Sequence, residues 1–363
     1  MSRFIVGLIW LVLLAGCSSV AATSAQLPTP AAIAPLPSVV TATVLPTRTM
    51  LPPTATIPPR ATPLPATATP LPATATPDPN APPRVGLQVG HWRIEEHPDE
   101  QARLRRFSGA YYRGYDEWEV NILIAEQVRD LLQAAGVTVE LLPATVPMGY
   151  EADVFVSIHV DGVVGEQAAT RRGWKLATPF RASLASEQLV AALSGSYPAA
   201  TGLPADPLGP SYDMRAYYAF ASYRYWHSIA STTPAVIIEC GFMTHPADRE
   251  LIFNGRDRIA AGIARGILAY LAEHHPATSD ARVDRGPATL LRPLNDATPL
   301  YARADAASRV ILDLNADQRL VALAQAGDWR LVFTHGGDWD LGWVRRDALI
   351  ATNEPLAPPH ARP

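Results

Sequence analysis

The sequence predicts an α/β protein with a mainly parallel, twisted sheet flanked by helices, preceded by a disordered tether and followed by a small all-β domain. Three observations lead to this fold class. Short apolar runs alternate with helical patterns between residues 84 and 275, which indicates a parallel sheet. Residues 287–350 show short β runs separated by Asp, Asn and Gly turns. Residues 18–83 are almost uncharged and rich in Pro, Thr and Ala, so they cannot bury a core.

The chain begins with a secretory signal in residues 1–17. Arg3 is followed by an apolar run that is too short to span a membrane comfortably. The residues Leu14-Ala15-Gly16-Cys17 resemble the lipobox of bacterial lipoproteins, which implies cleavage before Cys17 and attachment of lipid to its sulfur. An ordinary signal peptide with an incidental cysteine is the alternative. The lipoprotein interpretation predicts an extracytoplasmic protein that is anchored to the cell membrane and faces the cell wall.

The segment 18–83 is expected to form an extended, polyproline-rich tether. The heptapeptide Ala-Thr-Pro-Leu-Pro-Ala-Thr occurs at 61–67 and again at 68–74, and the segment has no aromatic residue. At about 3.1 Å per residue, some 60 residues reach on the order of 190 Å when fully stretched. Such a tether lets the folded part work far from the membrane that holds it.

The charge and the cysteine content of the chain limit which partners it can bind and whether it can form a disulfide. The formal net charge of −4 argues against a nucleic-acid partner. With Cys17 lipidated, Cys240 is the only other cysteine, so no intramolecular disulfide is possible.

The predicted elements of residues 84–275 follow in order. A strand spans 84–90 and stops at His91, and a loop follows. A helix covers residues 116–135 and closes with Gly136, the residue type that helix C-termini prefer. The remaining elements are strands at 137–142, 153–159 and 235–238 and helices at 183–195, 213–229 and 256–274.

The helix at 116–135 points Glu117 into the protein. Glu119 lies about 200° away around the helix and should be solvated, where it can form a capping box with Asp116. At about 100° per residue, the direction of Glu117 is shared to within about 60° by the apolar residues Val120, Ile124, Val128, Leu131 and Ala135. Glu117 therefore needs a polar partner inside the protein.

Three predicted strands end in a polar side chain: His91, His159 and Glu239. Because parallel strands end on one rim of a sheet, these side chains should gather there, and Glu117 at a helix start can join them. Alone, each residue is more often structural, and Glu117 would serve the helix dipole. Together, two His and one Glu suit catalytic zinc with a fourth position for water. A further carboxylate can then act as general base.

At these residues the chain resembles the zinc-dependent N-acetylmuramoyl-L-alanine amidases, cell-wall hydrolases with a two-His, one-Glu zinc site. The resemblance covers residues 84–275 and rests on four segments: Val89-Gly-His91, Glu117-Trp-Glu-Val-Asn-Ile-Leu-Ile-Ala125, Val156-Ser-Ile-His159 and Pro234-Ala-Val-Ile-Ile-Glu239-Cys-Gly-Phe242. It implies that His91, Glu117 and His159 bind Zn²⁺ and that Glu239 is the catalytic glutamate. The implied reaction is hydrolysis of the amide between N-acetylmuramic acid and L-Ala of the stem peptide in peptidoglycan.

Two departures from the family pattern affect the substrate cleft. Gln88-Val-Gly precedes His91 where the family has Asp-Pro-Gly, and Val160-Asp161 follows His159 where the family favours a small residue and Asn. They leave open a zinc peptidase or amidase with another substrate, beside the further alternative of a non-catalytic wall-binding lipoprotein. Arg215 is a candidate for holding a substrate carboxylate, with a solvated helix arginine as the alternative. Cys240 is interpreted as a small buried residue.

After a polar linker at 276–286, residues 287–350 resemble bacterial SH3-like domains through Asp328-Trp329 and Gly342-Trp343-Val344. The resemblance implies a small β-barrel that binds cell-wall peptide. The alternative is that Trp329 and Trp343 belong to the core of the barrel. Residues 351–363 are expected to form a tail.

Overall fold

The computed structural model describes residues 81–286, 289–335 and 340–358. The predicted signal with Cys17 and nearly all of the predicted tether lie outside the described residues. Within those ranges, no helix is both long and apolar enough to cross a membrane. The described residues all fall in one compact unit of the chain.

The first part is a five-stranded sheet with helices. The strands in chain order, including a two-stranded hairpin of β2 and β3, are β1 (Arg84–Val89), β2 (Tyr111–Tyr112), β3 (Tyr115–Asp116), β4 (Thr138–Leu142), β5 (Val154–Asp161), β6 (Lys175–Ala177) and β7 (Ala235–Phe242). The helices are α1 (Glu117–Ala134), α2 (Leu184–Thr201), α3 (Tyr212–Arg215), α4 (Pro246–Asn254), α5 (Arg256–His274) and α6 (Ser279–Arg282).

The sheet order is β4-β1-β5-β7-β6, and β1, β4, β5 and β7 are parallel. The predicted α/β class is therefore confirmed. The edge strand β6 runs antiparallel to β7 and was not predicted, because its three residues are too few for a recognisable pattern.

Alternation along the strands builds a core on each face of the sheet. On one face Val154, Val156 and Ile158 pack with residues of α1, α2 and α5. On the other face Phe155 and Ile237 pack against the segment that follows α3, including Phe220. The helix predicted at 256–274 forms as α5 and buries apolar residues at four-residue steps from Ile259 to Leu271.

The prediction of a helix at 213–229 was wrong. Only α3 and a 3₁₀ turn at Tyr218–Phe220 form, and irregular backbone follows. Buried residues occur in consecutive runs rather than on one stripe, among them Ala219, Phe220 and Ala221. Tertiary packing on both sides of this segment overrides the propensity of the chain for helix.

Details of two other elements also differ from the prediction. In α1, Leu131 is 44% exposed and Leu132 is buried, because the buried stripe proceeds in four-residue steps from Val128 and drifts around the helix. In the sheet, β5 and β7 continue past His159 and Glu239, so these residues lie inside their strands and not at the ends.

The second part is an antiparallel sheet in the order β10-β9-β13-β12-β11-β8-β14. Its strands are β8 (Thr289–Pro293), β9 (Thr298–Tyr301), β10 (Val310–Leu314), β11 (Arg319–Ala326), β12 (Trp329–His335), β13 (Leu341–Arg345) and β14 (Leu349–Pro355). The prediction of an all-β region is confirmed. The SH3-like barrel stays a prediction.

A cluster of buried aromatic and aliphatic side chains, called the aromatic seam below, joins the two parts. Tyr223 and Tyr225 of the first part are buried with Leu290, Val321 and Phe333 of the second part, the β-domain. The connecting residues 276–286 are also fixed: Arg282 Nη2 donates to Asp153 Oδ1 at 2.7 Å, and Arg181 binds Asp284. The predicted linker therefore contains a short helix, α6, held by ion pairs.

Candidate metal centre and active site

Three side chains converge above the sheet. His91 follows β1, Glu117 is the first residue of α1, and His159 lies in β5. His91 Nε2 is 3.5 Å from Glu117 Oε2, and His159 Nδ1 is 2.9 Å from Glu117 Oε1. One ligand atom from each residue can be chosen so that all lie within 4.8 Å of one another. The carboxylate thus lies between the two imidazoles.

The start of α1 explains why Glu117 faces inward. Asp116 and Glu119 form the predicted capping box, with the Asp116 amide donating to Glu119 Oε2 at 2.9 Å. Glu117 is left to accept from the Ala110 amide at 2.7 Å and from Asn121 Nδ2 at 3.1 Å. Burial alone would raise the pKa of Glu117, but the two imidazoles and the Ala110 amide outweigh it and lower that pKa.

The first imidazole has a defined tautomer. His91 Nδ1 lies 2.7 Å from the carbonyl oxygen of Phe107, which can only accept, so Nδ1 carries the proton and Nε2 presents a lone pair. Burial lowers the pKa of His91, which favours the neutral ring that a metal ligand needs. Gly109 allows this close approach: it has a φ of +81°, and a Cβ there would collide with the Glu117 carboxylate and the His91 ring.

These residues fit a zinc ion. The lone pair of His91 Nε2 faces a carboxylate oxygen of Glu117 at 3.5 Å, and a bound cation would stabilise two acceptors in that position. Two imidazoles and one carboxylate are a usual three-ligand set for catalytic zinc.

Glu239 lies beside this cluster. It is the register partner of His159 on β7, and its Oε2 is buried without a hydrogen-bond partner among the described residues. Burial raises the pKa of Glu239, and the charges of Asp161 and Glu117 raise it further, whereas Lys175 opposes them. An unpartnered carboxylate oxygen next to a metal centre is suited to accept a proton.

Arg215 stands apart from the four residues above. It ends α3, its carbonyl accepts from the Phe180 amide at 2.9 Å, and its Nε is buried without a partner among the described residues. The described contacts do not join it to the metal cluster. Its role in holding a substrate carboxylate stays a prediction.

Two residues of the site were missed. Asn121 supports Glu117 and also donates to the carbonyl of Gly90 at 3.1 Å. Its position four residues after Glu117, on the buried face of α1, was a signal that could have found it. Tyr217, whose hydroxyl lies 3.0 Å from His159 Nε2, gave no signal because its segment was predicted as a helix.

Cys240 is buried, as predicted. Burial raises the pKa of its thiol, so it stays protonated and unreactive at pH 7. The carbonyl of Cys240 accepts from the Tyr197 hydroxyl at 2.7 Å, which ties β7 to α2.

Several similar solved structures are N-acetylmuramoyl-L-alanine amidases of low sequence identity to this chain. They include an N-acetylmuramoyl-L-alanine amidase from Clostridium difficile 630, 20% identical, covering 53% of this chain and 97% of that chain with a TM-score of 0.39. Ami1 from Mycobacterium smegmatis is 22% identical, covering 53% of this chain and 98% of that chain with a TM-score of 0.41. AmiC2 of Nostoc punctiforme is 20% identical, with coverages of 52% and 97% and a TM-score of 0.37.

A search of curated proteins found no match. A family model described as N-acetylmuramoyl-L-alanine amidase matches residues 85–269, the part of the chain that holds His91, Glu117, His159 and Glu239. Because this match spans slightly more than half of the sequence, the chain belongs to the N-acetylmuramoyl-L-alanine amidase family.

Proposed function

We propose that the protein is a zinc-dependent peptidoglycan hydrolase that cuts the amide bond between N-acetylmuramic acid and L-Ala of the stem peptide. The observation that carries the proposal is the convergence of His91, Glu117 and His159 beside Glu239, whose Oε2 is buried and unpartnered among the described residues. Family membership supplies the substrate class.

His91, Glu117 and His159 would hold the metal, and Glu239 would move the proton. Bound zinc supplies Lewis-acid chemistry, polarising the scissile carbonyl and acidifying water in the site. Glu239 Oε2 takes one proton from the attacking water as the new C–O bond forms. It then gives that proton to the nitrogen as the C–N bond breaks, which releases the stem peptide with a free amine. The raised pKa of Glu239 makes its carboxyl a better proton carrier for both halves of this cycle.

The location proposed for this activity is the outer side of the cell membrane. Cys17 would carry the lipid and residues 18–83 would form the tether, as the sequence predicts. The β-domain would contact the wall peptide as an SH3-like domain. Trp329 is the candidate for this contact, since it lies between the Tyr301 ring and the Arg345 guanidinium. Trp343 instead packs against Tyr212 of the first part of the fold, which holds the proposed active site and is called the catalytic part below.

Mass spectrometry of digested peptidoglycan tests the proposal. Purified protein should contain about one zinc per chain and release stem peptides that begin with L-Ala, while Glu239→Gln releases none. Products from cut glycan strands or cut peptide cross-links would overturn it. Binding of sacculi that survives chelation, without hydrolysis after zinc is restored, would instead support a non-catalytic wall-binding protein.

A further inference from the structure

Tyr217 contacts His159 of the candidate metal centre, and Tyr218 contacts Tyr217. The Tyr217 ring meets His159 edge to face, with centroids 5.4 Å apart, and its hydroxyl is 3.0 Å from His159 Nε2. The Tyr218 ring lies 4.3 Å from that of Tyr217. Both residues belong to the segment after α3 that covers one face of the sheet.

The direction of the hydrogen bonds follows from counting protons, since a tyrosine hydroxyl has one. Tyr218 donates its proton to the carbonyl of Ala144 at 3.0 Å and accepts from Gln88 Nε2 at 3.3 Å. Tyr217 donates its proton to the Tyr218 oxygen at 3.0 Å. The Tyr217 oxygen can then only accept from His159, so His159 Nε2 carries a proton.

With Nε2 protonated, the lone pair of a neutral His159 ring is on Nδ1. Nδ1 faces Glu117 Oε1 at 2.9 Å, on the side where the three ligand atoms converge. His91 shows the opposite arrangement, because its Nδ1 proton is held by the Phe107 carbonyl and its Nε2 faces Glu117. Each imidazole is thus fixed by a partner on the nitrogen that turns away from the carboxylate.

We propose that Tyr217 and Tyr218 are positioning residues that hold the His159 proton on Nε2, so that His159 binds the metal through Nδ1 whereas His91 binds it through Nε2. The pair also fixes the position of the ring. Gln88 of β1 is fully buried and donates to the Ala144 carbonyl as well as to Tyr218, so the chain of hydrogen bonds ends on rigid backbone. This inference rests on the proposed zinc site.

Zinc affinity, measured by competition with a chromophoric chelator, tests the proposal on the purified chain. Tyr217→Phe keeps the ring and removes the acceptor for Nε2–H, and we expect binding about 10- to 100-fold weaker, as for loss of other partners of metal ligands. Tyr218→Phe should also weaken binding, because the Tyr217 proton is then free to point at Nε2. Tyr212→Phe is the matched control: this 40% exposed tyrosine precedes the same segment, and its affinity should equal that of the wild type.

Long-range ¹H–¹⁵N spectra of the zinc-loaded protein provide the second measurement. We expect a protonated Nε2 and a metal-bound Nδ1 for His159, and the reverse for His91. An unchanged zinc affinity in Tyr217→Phe, or a metal-bound Nε2 in His159, would overturn this inference and leave the proposed function standing. A wild-type protein that binds no zinc would overturn both.

Discussion

Lys175 lies directly opposite Glu239 across the antiparallel pair of β6 and β7, and its ammonium group is bound to the Asp161 carboxylate. Lys175 is almost fully buried. The lysine therefore places a positive charge next to the proposed proton carrier and also pairs with Asp161, whose negative charge raises the pKa of Glu239. Replacing Lys175 removes a positive charge and leaves the Asp161 carboxylate unpaired, and both effects raise the pKa of Glu239.

Lys175→Met should move the acid limb of the pH–activity profile to higher pH. The variant loses the charge that lowers the pKa of Glu239 and frees the negative charge of Asp161, which raises it. Glu239 acts as a base only when ionised, so activity is lost as pH falls through its pKa, and the loss should begin about one unit higher. Lys175→Arg keeps the charge and should largely keep the profile. Identical profiles for Lys175→Met and the wild type would refute this role.

Glu239→Gln should retain zinc and lose turnover by roughly 10²- to 10⁴-fold, because the amide cannot accept the proton of the attacking water. His159→Ala should instead lose zinc, since it removes one of the three proposed ligands. Zinc content by atomic emission and release of stem peptides separate the two defects. Full activity of Glu239→Gln would show that another group carries the proton.

Gly109→Ala should weaken zinc binding, because the new methyl group meets the Glu117 carboxylate and the His91 ring. Gly114→Ala is its control: Gly114 also has a positive φ, +94°, but a Cβ there meets nothing within 4 Å. Both variants should lose about 1 kcal/mol of unfolding free energy from backbone strain. Only Gly109→Ala should change the zinc affinity measured by chelator competition. Equal affinities in the two variants would contradict the crowding at Glu117.

Phe333→Ala should destabilise the catalytic part as well as the β-domain. Phe333 is 5% exposed in the aromatic seam with Tyr223 and Tyr225, and truncation of a buried phenylalanine costs about 3–5 kcal/mol. Calorimetry should show one transition at lower temperature, with zinc release in the same range. Ile350→Ala, at a site 51% exposed on β14, should change little. Two separate transitions in the wild type would show that the parts unfold independently.

The sequence predicted the elements that carry a strong period, although His159 and Glu239 lie inside their strands and not at the ends. The parallel order of β1, β5 and β7 follows from short apolar runs between helices, and the inward direction of Glu117 follows from the helical period. What it did not reveal depends on contacts between distant segments. Tyr217 reaches His159 only because its segment folds irregularly over the sheet, and Lys175 faces Glu239 through an edge strand of three residues.

The aromatic seam bears on how this enzyme can be re-engineered. One way to re-engineer a cell-wall hydrolase is to replace its wall-binding domain at the junction with the catalytic domain. Here the segment from Tyr212 to Tyr225 touches His159 on one side and contributes to the seam with the β-domain on the other. A chimera joined near residue 286 would expose Tyr223 and Tyr225 to solvent and weaken the packing of the segment that contacts His159 of the candidate metal centre. The amidase part therefore cannot simply be fused to another domain. A replacement domain must supply apolar side chains that cover Tyr223 and Tyr225 as Phe333 and Val321 do.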